Sequence, residues 1–194
     1  MTRDFIEALV SDPVTIAAAG RAAGGGIPDK SGLYAWWLAS DDALPAVPLS
    51  PHPTEPGLRL LYVGVAPRDA ASQETLRSRA LKKHVGSGLA GSTFRRSLAA
   101  LLWEEKDWTP RLTETGRFKF SPEDDAALRA WQELNLRLSW VPVERPRDTE
   151  DFAISELEPP FNLAGNLDHP FYEGMSNARA CFKAKAEAFS RKPG

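Results

Sequence analysis

The chain has 194 residues, with 24 Lys+Arg against 26 Asp+Glu, three His, one Cys and a formal net charge of −2. That length suits one domain able to bury about 70% of its unfolded surface without staples. Cys181 alone cannot close an intramolecular disulfide, and three histidines with one thiol cannot build a closed zinc site, so any metal must be held by oxygen.

Residues 3–20 read as helical, with Phe5, Ile6, Leu9 and Val10 as a partial apolar stripe and a break at Pro13. After the punctuation of Gly24-Gly25-Gly26 and Pro28, the aromatic-rich run Gly32 to Leu38 predicts a buried strand. Residues 39–59 hold Pro45, Pro48, Pro51, Pro53 and Pro56, which cannot join a ladder and predict a long surface connection. A second strand follows at 60–65. Residues 74–85 fit a helix, and Ser92 or Thr93 is expected to cap another that runs through Trp103. Pro122 opens a helix to about Asn135, Leu138 to Val143 is a third strand in which Pro142 favours an edge, Asp148 or Thr149 caps the next helix, and 176–189 form the last.

Charge is unevenly spread. From Thr75 through Trp103 there is no acidic residue, while Arg77, Arg79, Lys82, Lys83, Arg95 and Arg96 give that window +6 and leave the remainder at −8. This asymmetry predicts one basic face on an acidic body, with Arg77, Lys82, Arg95 and Arg96 as candidate contacts to nucleic-acid phosphates; a solvated helix face is the plain alternative. Gly86-Ser87-Gly88-Leu89-Ala90-Gly91 spells G-x-G-x-x-G, but the basic helix before it is no apolar strand, so a flexible turn is expected instead of a dinucleotide site.

Five elements recur in a telling order: Gly32-Leu33-Tyr34 on the first strand, Tyr62-Val63-Gly64 on the second, Leu76-x-x-Arg79 on the next helix, Glu150 on a later one, and Asn162 in Glu-Pro-Pro-Phe-Asn. This set resembles the GIY-YIG nuclease superfamily over roughly residues 30–165. The resemblance implies an α/β fold (α+β type) with a small three-stranded, mainly antiparallel sheet flanked by helices. Residues 1–29 and 166–194 would be helical extensions and 39–59 a Pro-rich insertion, because the 27 residues between the tripeptides (35–61) exceed the family's short hairpin.

It also implies roles. Tyr62 would assist removal of a proton from the attacking water, although a free phenol has a pKa near 10 and needs help from its surroundings. Tyr34 would position water or phosphate, with Gly64 beside it. Arg79 would offer a planar, permanently charged fork to phosphate oxygens. Glu150 would hold Mg²⁺ or Mn²⁺ with most of its waters retained, and Asn162 would fix the supporting loop. Glu150, Ile154 and Leu157 fall at i, i+4 and i+7, so the carboxylate starts a stripe that faces inward. Many members carry His or Tyr four residues beyond the arginine; here that position is Lys83, and His84 comes one later. On a regular α-helix Lys83 lies about 40° and His84 about 140° around from Arg79, so Lys83 is expected to face the site while His84 packs or caps.

The expected function is a metal-dependent endonuclease acting on DNA in repair, recombination or defence. The alternative is a catalytically inactive, nuclease-derived module that binds nucleic acid. A homodimer or a protein partner would supply specificity. With no apolar run near the ~20 residues that span a bilayer and no signal-like N-terminus, no membrane partner and a cytoplasmic location are expected.

Overall fold

The computed structural model describes residues 4–21, 25–45, 47–69 and 71–190. In chain order the elements are α1 (Asp4–Val10), β1 (Val14–Thr15), α2 (Ile16–Ala19), β2 (Gly32–Leu38), β3 (Arg59–Ala66), a π-helix (Ser78–Gly86), α3 (Thr93–Leu102), β4 (Arg111–Leu112), β5 (Phe118–Lys119), α4 (Pro122–Asn135), β6 (Leu136–Pro142), α5 (Arg147–Leu157) and α6 (Tyr172–Ser190). Arg3, the first residue of the expected N-terminal helix, lies outside the described residues.

The fold is α/β, built on an antiparallel sheet of order β1-β6-β2-β3. It has four strands, not three. Asp12, at φ 48°, and Pro13 end α1 and turn the chain so that Val14–Thr15 extends alongside Leu138 and Arg137 of β6. β6 is therefore internal, yet Pro142 is tolerated. Val143 N–H bonds Ser31 O across to β2, so the Pro142 nitrogen points the other way, beyond the end of β1, where no ladder partner is lost. β4 and β5 form a separate two-stranded ribbon.

Side-chain alternation on β2 divides the core. Tyr34, Trp36 and Leu38 join Leu76, Phe94, Leu98, Trp131 and Phe182 on one face, whereas Leu33, Ala35 and Trp37 meet Leu9, Val10, Val63 and Ala153 on the other. Covered on both sides, β2 is apolar throughout. Met175, Phe182 and Ala186 of α6 belong to the first face, and α6 packs on α3.

The Pro-rich connection is pinned more firmly than a surface loop would be. His52 is buried, its Nδ1 accepts the amides of Thr54 and Glu55, and its Nε2 therefore carries the proton donated to Val10 O at 2.6 Å. Its ring also lies 4.4 Å from that of Trp37. At α5 the cap position is Pro146; Asp148 and Thr149 fall inside the first turn, where Thr149 Oγ1 donates to Pro146 O and Asp148 pairs with Arg145. Among the described residues no helix is long and apolar enough to cross a membrane.

Candidate active site

Two glycines let the strands bring the site together. A Cβ on Gly64 would strike the Tyr34 ring and hydroxyl and the Tyr62 ring, so the register that sets Tyr34 opposite Gly64 lays one phenol across the bare backbone beside the other. Gly32 meets the same limit against Val141 O, Pro142 Cα and Leu76 Cδ1. Both tripeptides therefore need glycine for close approach, since neither residue has a positive φ.

The helix after β3 departs from the regular geometry expected. Ser78–Gly86 is a π-helix, in which hydrogen bonds run i→i+5 and residues five apart share a face. Arg79 and His84 are five apart. His84 accordingly turns into the site beside Arg79, where 100° per residue would have packed it elsewhere, while the exposed Lys83 lines the same cleft as expected. Side chains of α3 and α4 supply donors to carbonyls at the end of the wide helix. Arg95 Nη1 donates to Val85 O and Ser87 O, both at 2.6 Å, and Gln132 Nε2 donates to His84 O at 2.8 Å.

A buried chain of hydrogen bonds starts at the α3 cap. Ser92 Oγ accepts the Arg95 amide at 3.0 Å, and its other partner is His84 Nδ1 at 2.6 Å, so the hydroxyl proton is donated to that nitrogen. His84 Nε2 is then the protonated one and donates to the Tyr34 oxygen at 2.6 Å. The Tyr34 and Tyr62 ring centroids lie 6.3 Å apart. Burial pushes the His84 pKa down to about 3, with Arg79 and Lys83 adding to it, so the imidazole is neutral. Burial likewise raises both phenols. For Tyr62, Arg79, Arg68 and the hydrogen bond from Tyr34 pull the other way, while Glu150 pushes it further up. Tyr34 is fully buried and is not among the residues of the cleft wall, so its hydroxyl faces His84 and not the open cleft.

Glu150 and Ile154 of α5 face a cleft of about 650 Å³ that Tyr62, Arg79 and His84 also line. Burial, reinforced by Asp151, raises the Glu150 carboxyl, against the pull of Arg79, Arg68 and Arg147. Asn162 closes the open edge of β3 as a strand would, its Oδ1 accepting Val63 N–H at 3.0 Å and its Nδ2 donating to Val63 O at 2.7 Å.

The GIY-YIG catalytic domain model matches residues 32–181, most of the chain. This chain belongs to the GIY-YIG family. Its activity is thus of the nuclease type. No curated protein and no solved structure matches it.

Within this GIY-YIG domain the sequence-predicted phosphate contacts separate. Arg95 is 0% exposed and is held by Val85 O, Ser87 O, Asp125 O and the Asp125 carboxylate, so it cannot reach nucleic acid. Arg77 is spent on the carbonyls of Gly20, Arg21 and Ile27 and on Asp29. Arg96 is half-buried over Phe118 with a bond to Thr93, and Lys82 is exposed.

Two residues of the GIY-YIG site escaped sequence reasoning. Glu74 forms ion pairs with both Arg79 and Lys83, which hold its carboxyl low although burial alone would raise it. Its spacing to Arg79 is five, which no α-helical pairing rule finds. Arg179, in the cleft wall, sits in the stripe Met175, Arg179, Phe182, Ala186 of α6, and a charge in an apolar stripe was the available signal.

Proposed function

We propose that this protein is a metal-dependent endonuclease that hydrolyses DNA phosphodiester bonds. The observation that carries this reading is the convergence of Tyr62, His84, Arg79 and Glu150 on one cleft. In hydrolysis a water oxygen bonds to phosphorus as one P–O ester bond breaks, so the site must take a proton from water and stabilise charge on the phosphoryl oxygens.

Tyr62 lines the cleft in the field of Arg79; once its phenol proton has passed to solvent water, the phenolate is held by Arg79 and can accept the proton of the attacking water. His84 and Ser92 hold the Tyr34 hydroxyl in place beside Tyr62. Arg79 binds a phosphate oxygen, drawing part of its fork away from Glu74.

Glu150 fits a divalent cation: it is a half-buried carboxylate whose ionised form is disfavoured as it stands, and no other His, Cys, Asp or Glu joins it in a group of three among the described residues. One carboxylate with retained waters suits Mg²⁺ or Mn²⁺. Such an ion would polarise a phosphoryl oxygen and neutralise the leaving alkoxide.

Incubating the protein with supercoiled, linear, single-stranded and branched DNA, with and without Mg²⁺ or Mn²⁺, tests the reading. Metal-dependent nicking supports it. Binding without cleavage on every substrate would overturn it in favour of a nucleic-acid-binding module.

A further inference from the structure

The cations around the cleft differ in how their charge is met. Arg79 and Lys83 share Glu74, and Arg95 beneath them has Asp125. Arg68 and Arg147 are exposed and lie in the field of Glu150. Arg179 of α6 has no carboxylate within ion-pair distance among the described residues. Its Nη2 donates to a neutral group, Ser97 Oγ at 2.6 Å, and its Nε is buried without a hydrogen-bond partner.

Leaving a half-buried guanidinium without an anion is unfavourable, and its neighbours do not relieve it. Arg96 on α3 repels it, and only the Tyr62 side of the cleft attracts it. Arg179 lines the same cleft as Tyr62, and its bond to Ser97 ties it to α3, whereas Glu150 and Asp151 reach the cleft from α5. A nucleic-acid strand running through the cleft brings a series of phosphates past these residues, whereas an isolated phosphodiester brings one.

We infer that Arg179 binds a phosphate of the cleaved strand next to the scissile one, so that the cleft takes a nucleic-acid strand by at least two phosphates. The inference rests on the nucleic-acid reading of the site above and adds a contact on α6.

Equilibrium binding of a labelled DNA duplex, measured in EDTA over a range of salt, tests it without requiring cleavage. Arg179→Gln is expected to weaken binding about tenfold and to lower the slope of log affinity against log salt by about one. A scan of the duplex with single neutral methylphosphonates should locate one position that weakens wild-type binding and has no further effect on Arg179→Gln. Arg179→Lys, which keeps the charge, should retain the slope, and it reads the same scan if Arg179→Gln does not fold. An unchanged slope with Arg179→Gln, or additive losses at every position of the scan, would overturn the assignment. Cleavage by wild type with an unchanged slope for Arg179→Gln leaves the nuclease reading standing and removes this one. The reduced slope without any cleavage does the reverse.

Discussion

Arg79 and Arg95 occupy the same acid-free window of the sequence, and the fold gives them opposite tasks. Arg79 stands in the cleft wall beside Tyr62, whereas Arg95 is fully buried, with its guanidinium closing the end of the π-helix that carries Arg79. One charge faces the cleft beside Glu74, and the other is consumed in holding the end of the helix that carries the first. The contrast teaches that a run of like charges on a sequence is not a surface: half of such a run can be internal scaffolding when carbonyls at a helix end need donors.

The comparison can be broken by substitution. Arg79→Ala should reduce DNA cleavage by about 10²–10³-fold, the loss associated with removing one donor to a developing oxyanion; a rate within threefold of wild type in a single-turnover assay would remove Arg79 from the chemistry. Arg95→Ala should instead act on folding. Urea denaturation should show a loss of about 3 kcal/mol, because three carbonyls and part of the Asp125 charge lose the Arg95 donor, and the salt slope of DNA binding should not move. If that slope falls by about one, Arg95 faces DNA after all.

The π-helix sharpens the same comparison. His84→Ala should slow cleavage roughly tenfold more than Lys83→Ala does, since His84 orients Tyr34 whereas Lys83 only shares Glu74. The reverse ranking would remove His84 from the positioning of Tyr34 and give the larger part to Lys83. His84 also makes a prediction about pH. Its folded pKa of about 3 lies below the ordinary value of 6.5, so the unfolded chain binds the extra proton between those limits. Stability should therefore fall as pH drops from about 6.5 toward 3, by up to about 1.4 kcal/mol per pH unit, and His84→Gln should flatten that part of the curve. The smallest effect concerns Glu150. Mg²⁺ should raise the melting temperature of wild type by a few degrees at neutral pH and leave Glu150→Gln unmoved; equal shifts would place the ion elsewhere.

Much of the site was legible before any tertiary structure. Strand runs around Tyr34 and Tyr62, the inward stripe begun by Glu150, and Ser92 as a cap are local patterns, set by the side-chain periods of two and 3.6 residues and by hydroxyl capping. The sequence by itself determined the two tripeptides as well, because their glycines admit no substitute where Tyr34 crosses Gly64 and Val141 approaches Gly32. What the tertiary structure decided lies where distant segments meet. The π-helix, with donors from Arg95 and Gln132 at its end, brings His84 into the site beside Lys83. The pairing of Glu74 with Arg79, the burial of Arg95 and the arrival of Arg179 from α6 follow from the same cause. A charge pattern records which groups are ionised, whereas desolvation and partner geometry, which exist only after packing, decide which of those charges remain available to a ligand.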